Sequence, residues 1–335
     1  MQKKAMLFKV LVVVISVFIA GSVLAKDKPR VAIVFATGGL GDKSFNDSAM
    51  EGIKQAQKKY GIEYDYAEPK AIAEYHTYLS QFTNTRKYEL IISVGFDQAD
   101  ALRDIAGRFK EQKFAIVDMV VDKPNVASFI YQENERGFLM GYAAGLMTTR
   151  SDDEKINRDK VVGVIGGMKI PLIDALIAGF IAGARYADPE VKVLYSYVGH
   201  WADPAKGKEL TISLFEQKAD IVWGAAGRSG LGVINAANEK NRYTIGIDAD
   251  QGYLAPKHVL TNGMKFVNNT VEIAIGKVVA GSFTGGSHLL GVKENALGYS
   301  ESLLPKDLIA ALEKIKGKII AGEIKIPKTV EEALK

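Results

Sequence analysis

Beyond residue 26 the chain repeats one pattern: a short apolar run rich in β-branched residues, a turn, then an amphipathic stretch of helical period. The runs are Val31–Phe35, Leu90–Val94, Phe114–Asp118 and Val126–Tyr131, followed by Val161–Ile165, Val191–Val198, Ile221–Gly224 and Thr244–Ile247. They are continuous rather than alternating, as expected of parallel strands covered on both faces. Strands that alternate with helices predict βαβ units, hence an α/β protein with doubly wound parallel sheets. In the first helix, Ala49, Ile53, Ala56 and Tyr60 fall on one stripe, with Lys54, Gln57, Lys58 and Lys59 outside it. Ser44 or Ser48 can cap this helix, Ser48 forming a capping box with Glu51, and Gly61 ends it. Polar residues Ser151–Lys160 separate the two sets of runs. Each set is about a hundred residues, enough for one doubly wound domain. Two lobes meeting at a hinge are the economical arrangement.

The first 25 residues break the pattern and read as a signal peptide. Lys3, Lys4 and Lys9 make a positive start, Leu11–Ala20 is uninterruptedly apolar, and Val23-Leu24-Ala25 offers small residues at the cleavage positions. The apolar run is shorter than the ~20 residues a membrane span needs. The chain has no cysteine. That predicts a fold without disulfides, and an exported protein on the periplasmic or extracellular face of the membrane without a lipid anchor. Net charge is +4 and falls to +1 without the three leader lysines. This excludes the concentrated basic surface that a nucleic-acid partner requires.

Several chemistries fail on spacing. The four histidines, His76, His200, His258 and His288, are scattered and no thiols exist, so no metal site or other cofactor is expected. Gly38-Gly39-Leu40-Gly41-Asp42-Lys43-Ser44 has Asp42 where a phosphate loop has glycine, and Ser44 where a dinucleotide fingerprint has its third glycine. Gly227-Arg228-Ser229-Gly230 lacks the second glycine of a serine nucleophile elbow. The chain therefore reads as a binding protein and not an enzyme.

Open α/β sheets bind ligands beyond the carboxyl ends of their strands. After the first strand, Phe45 and Asn46 sit at a helix start, where a ring can stack on a planar ligand and an amide can read its edge. Phe45 can equally staple the helix to the core. Asp118 and Asp248 end strands, with Asp250 just beyond the second. Such a carboxylate can accept two hydroxyls of a sugar diol, cap a helix or brace a hinge. Trp201 lies in a loop before a helix opened by Asp203 and Pro204, which favours a ligand platform, whereas Trp223, inside a strand, reads as core. The glycines around Gly227 and Arg228 allow backbone to approach a ligand. Lys265 follows the apolar stretch Val259–Met264 and is either a ligand donor or a surface lysine.

Taken in order, Gly38–Asn46 (GGLGDKSFN), Asp203–Glu209 (DPAKGKE), Ala225–Gly232 (AAGRSGLG) and Ile245–Gln251 (IGIDADQ) resemble the basic membrane protein family. These are substrate-binding components of ABC transporters and include purine-nucleoside receptors. The resemblance implies a type I periplasmic-binding-protein fold with three crossovers. Residues 26–131 with 266–284 would form lobe one, and 132–265 with 285–335 lobe two. It implies a base clamped between Phe45 and Trp201, the latter where phenylalanine is usual, with Asn46 as the motif amide. Asp118, the Gly227 region, Asp248 and Lys265 match positions that hold the ribose and the rest of the nucleoside. The implied partners are a nucleoside-like small molecule and a membrane permease, with the receptor working as a monomer. Two departures bear on the ligand. Ala36 stands where nucleoside receptors usually carry a base-binding aspartate, and Arg228 where a second glycine is common. They open the alternatives of another nucleoside, a flavin or a sugar-like molecule, and a sensory receptor of the same fold uses the same residues. A transcription regulator of this fold would need a DNA-binding segment where this chain has its leader.

Overall fold

The computed structural model describes residues 28–335, so the expected signal peptide over 1–25 lies outside the described residues. The chain starts with β1 (Arg30–Val34), α1 (Phe45–Tyr60), β2 (Glu63–Ala67), α2 (Tyr75–Asn84), β3 (Leu90–Val94), α3 (Ala99–Arg108), β4 (Phe114–Val117) and β5 (Val126–Tyr131). It then crosses into α4 (Glu133–Thr148), β6 (Val161–Gly166), α5 (Pro171–Ala187), β7 (Lys192–Tyr197), α6 (Pro204–Glu216), β8 (Ala219–Ala225), α7 (Gly230–Glu239), β9 (Tyr243–Asp248) and β10 (Val259–Lys265). A second crossing leads to α8 (Val267–Val279) and β11 (Gly286–Leu290), and a third to β12 (Leu297–Tyr299), α9 (Lys306–Ile320) and α10 (Val330–Leu334).

The strands form two six-stranded sheets, ordered β11-β5-β4-β3-β1-β2 and β12-β10-β9-β8-β6-β7. Every pairing is parallel except β10 with β12. The continuous apolar runs become interior strands buried on both faces, as β3, β6 and β8 show. Trp223 lies in that core, fully buried, with its Nε1 donating to the Gly246 carbonyl at 3.0 Å.

Three details depart from the pattern-based reading. β11 pairs with β5 in the first sheet, so the third crossover follows Leu290, not residue 284. β2, β11 and β12 escaped notice because edge strands keep one side toward solvent and carry no continuous apolar run. The loop around Ser151–Lys160 joins α4 to β6 within the second lobe, and the chain crosses between lobes earlier, at Gln132.

The start of α1 also differs. The helix begins at Phe45, which leaves Ser48 inside it and dissolves the Ser48–Glu51 box. Asp42 caps the helix instead, accepting the N–H groups of Asn46 at 2.9 Å and Asp47 at 3.1 Å. The helix ends as expected at Gly61, in the left-handed region with φ 69°.

The second lobe is anchored by α4 lying backbone to backbone on α5. A Cβ on Gly141 would sit 2.0 Å from the Phe180 carbonyl oxygen, and one on Gly183 2.1 Å from that of Phe138. Only glycine permits this approach, and it fixes the first turn of α4, which carries Glu133 and Arg136 into the space between the lobes.

Candidate ligand-binding site

In each sheet the strand order reverses at one place, around β1 in the first and β6 in the second. Loops diverge at such a switch point and leave a crevice beyond the strand ends. The two crevices face each other and border one cleft between the lobes. Lobe one contributes Ala36, Gly38, Asp42, Phe45, Asn46, Phe96, Asp97 and Asp118. Lobe two and the crossovers contribute Arg136, Leu172, Trp201, Gly227, Arg228, Asp248 and Lys265.

The polar side of the cleft is a chain of buried charges that runs through the hinge. Lys265 Nζ binds Asp118 and lies 2.9 Å from Glu133. Glu133 also pairs with Arg136, whose Nη1 donates to Asp248 Oδ1 at 2.6 Å. Asp248 Oδ2 accepts from Ser44 Oγ, which belongs to the opposite lobe. Burial opposes the charge on Lys265, but Asp118 and Glu133 outweigh it and hold the ammonium above its ordinary range. Burial likewise opposes the Glu133 carboxylate, and Arg136 and Lys265 overcome it, so its pKa is lowered. For Asp118 burial wins and the pKa is raised, despite Lys265. Lys265 is thus no surface residue: it is 2% exposed, with the Tyr131 and Phe45 ring centroids 4.4 and 4.9 Å from its ammonium.

Trp201 follows β7 and lies against Gly167, where a Cβ would come within 2.3 Å of the indole. Its loop leads into α6, which Asp203 caps by accepting the Lys206 N–H at 2.9 Å, with Pro204 at the first helical position. Asn46 lines the cleft, yet its amide is engaged by the loop: Oδ1 accepts from Ala36 N at 3.0 Å and Nδ2 donates to the Gly39 carbonyl at 3.2 Å. Gly227 adopts φ 54°, and its neighbour Arg228 reaches across the cleft to donate to the Leu40 carbonyl.

Asp250 leaves the site. Its Oδ1 accepts from Gly252 N and Asn262 Nδ2, each at 2.9 Å, and it does not line the cleft. The left-handed turn at Asp248, φ 64°, swings the following residues away from the opening toward β10. Spacing did not single out Arg136, Glu133, Ser44 or Asp97. The available signal was Glu133 and Arg136, charges three apart at the start of a helix that is otherwise nearly all apolar. Among the described residues no three His, Asp or Glu side chains gather to hold a metal ion, and no helix is long and apolar enough to cross a membrane.

Comparison with known proteins agrees with this architecture. A family model described as ABC transporter substrate-binding protein PnrA-like matches residues 29–330. Basic membrane protein A of Borreliella burgdorferi is 29% identical, over 92% of this chain and 90% of its own length. A lipoprotein of Pyrococcus abyssi is 34% identical, over 81% of this chain and 69% of its own. The crystal structure of an ABC transporter solute-binding protein from Aeropyrum pernix superposes with a TM-score of 0.81 at 29% identity, covering 91% of this chain and 95% of that one. The type I periplasmic-binding-protein fold expected from the motifs is therefore the fold of this chain. One expectation is corrected. The chain was read as lacking a lipid anchor, whereas its Pyrococcus relatives are named lipoproteins. That reading rested on a missing thiol alone, and the absence of one acceptor group does not decide how a protein is held at a membrane. A binding cleft and a match across nearly the whole described chain lead to one conclusion: this protein belongs to the Bmp family of PnrA-like ABC transporter substrate-binding proteins, a family of binding proteins rather than enzymes.

Proposed function

We propose that the ligand captured for the permease is a nucleoside, held between the lobes of a single copy of the chain. The observation that supports this most is the combination in one cleft of two aromatic side chains from opposite lobes, Phe45 and Trp201, with two strand-end carboxylates, Asp118 and Asp248. A planar base stacks on aromatic faces without regard to its sequence of ring atoms. A carboxylate only accepts, and it has lone pairs to spare beyond one cation, so it suits the donor pair of a ribose diol. Lys265 and Arg136 hold these carboxylates in place before the ligand arrives, which lowers the cost of binding. Ala36 leaves the end of β1 without a polar group, so the ribose side of the cleft carries most of the recognition common to such receptors.

The test is mass spectrometry of small molecules that co-purify with the chain, followed by calorimetry with a ribonucleoside and its 2′-deoxy analogue. The expected result is a bound nucleoside, and tighter binding of the ribose form. A co-purified ligand without a ribose, together with no measurable nucleoside binding, would overturn the proposal. Light scattering of the ligand-bound protein should give the mass of one chain.

A further inference from the structure

We propose that Asp97 selects the ligand's ring: its Oδ1 accepts a hydrogen bond from an amino group or ring N–H on the base edge, at the place where Ala36 offers only a methyl group. This rests on the nucleoside reading and names the residue that would read the base.

Asp97 lies in the single turn that follows β3, beside the end of β1, and lines the cleft. Gln98 ties the two strand ends together by donating to the Val34 and Val94 carbonyls at 2.9 and 2.8 Å. Tyr75 holds the carboxylate: its hydroxyl accepts from Thr37 N at 3.0 Å and donates to Asp97 Oδ2 at 2.9 Å. Because the Tyr75 proton is given to Oδ2, the other oxygen is turned away from it. That oxygen, Oδ1, is buried without a hydrogen-bond partner. It lies beside Gly95: the point where a Cβ on Gly95 would sit is 3.1 Å from Asp97 Oδ1 and 3.2 Å from the Ala36 Cβ. The free acceptor and the Ala36 methyl therefore both border Gly95, and all three residues line the same part of the cleft.

The other cleft carboxylates already hold protein partners, with lone pairs left on Asp118 and Asp248 for the ribose. Asp42 accepts from the backbone at the start of α1, Asp118 holds Lys265, and Asp248 holds Arg136 and Ser44. A buried acceptor left unpaired is costly, and a ligand donor recovers that cost. A carboxylate cannot donate, so a ring edge that presents only lone pairs is rejected and one that presents N–H is accepted.

Adenosine, guanosine and purine riboside test this, since purine riboside lacks both the exocyclic amino group and any ring N–H. Calorimetry on the full chain should show adenosine or guanosine binding about 10- to 100-fold more tightly than purine riboside. Asp97→Ala should bring the preferred nucleoside down to the level of purine riboside, while the preference for ribose over 2′-deoxyribose survives. Asp97→Asn, nearly isosteric, keeps an oxygen for Tyr75 and turns an NH2 into the cleft, so it should shift preference toward purine riboside. It also carries the test if the alanine variant unfolds. If wild type binds these nucleosides without an amino preference, or both variants keep that preference, Asp97 is not the selecting residue. If wild type binds none of them, the nucleoside reading itself is overturned and the role of Asp97 with it.

Discussion

Asp118 and Asp248 occupy corresponding places in the two lobes. Each stands at the end of the strand that lies next but one to the switch strand, Asp118 just after β4 in one sheet and Asp248 as the last residue of β9 in the other. Each adopts a left-handed backbone, with φ 75° and 64°. Aspartate tolerates that region better than most side chains, and there it ends the strand abruptly with its carboxylate turned into the cleft. Each then holds a hinge cation, Lys265 for Asp118 and Arg136 for Asp248. The two cations share Glu133, so the two halves of the site are one electrostatic unit.

Asp248→Ala should cost roughly 2–4 kcal/mol in affinity for a ribonucleoside, about 30- to 1000-fold, and remove discrimination against its 2′-deoxy analogue. It should also lower stability, because Arg136 loses a buried partner. Asp250→Ala should leave the discrimination intact, since that carboxylate is engaged by Gly252 and Asn262 outside the cleft. Calorimetry on both variants decides it: loss of discrimination in the Asp250 variant alone would place the diol elsewhere.

Trp201→Ala should weaken nucleoside binding about 5- to 150-fold, the worth of one base–aromatic stack of roughly 1–3 kcal/mol. The indole is partly exposed and leans on Gly167, so the melting temperature should change little. Intrinsic fluorescence of the wild type should respond to ligand, and that response should vanish in the variant. An unchanged affinity would remove Trp201 from the site.

Arg228 donates to the Leu40 carbonyl across the cleft, and Gln251 Nε2 donates to the Lys43 carbonyl at 3.0 Å. These contacts exist only when the lobes are together. Arg228→Ala should therefore speed ligand dissociation, by about 10- to 150-fold for the loss of one charge-assisted hydrogen bond. Small-angle scattering should show the wild type compacting on ligand addition, with a smaller change in the variant. Identical wild-type profiles with and without ligand, starting from stripped protein, would contradict closure.

Burial pushes the Asp42 carboxyl from 3.8 up to about 6, although the backbone N–H groups of Asn46, Ser44 and Asp47 favour its charged form. The folded protein therefore binds this proton more tightly than the unfolded chain. The stabilisation is full below about pH 4 and is lost as pH rises through about 6. Asp42→Asn removes the titration. The melting temperature of the variant, relative to wild type, should rise between pH 4 and pH 7. A difference that stays constant over that range would show that Asp42 titrates alike in both states.

The interior strands were legible because each is covered on both faces and must be apolar throughout, as Leu90–Val94 and Val161–Ile165 are. The helix cap at Asp203-Pro204 and the end of α1 at Gly61 were legible for the same kind of local reason, since each rests on the backbone preference of one or two residues. So was the placing of Phe45, Asp118, Trp201, Gly227, Arg228, Asp248 and Lys265 at strand or helix ends, and all of these meet at the cleft. What each side chain is bound to was decided only by the tertiary structure. Asp248 and Asp250 are two apart and chemically identical, yet a left-handed turn gives one to Arg136 and the other to Asn262. Ser44 is a plausible helix cap by local rules, but the opposite lobe brings Asp248 to its hydroxyl, and Asp42 takes over the cap. Lys265 gave no sign of burial, because what removes it from water is Asp118, Glu133 and two aromatic rings drawn from three separate stretches of chain. Periodicity and capping are properties of neighbours along the chain. Charge pairing and burial are set by neighbours in space, here by a cleft whose two walls lie up to two hundred residues apart in sequence.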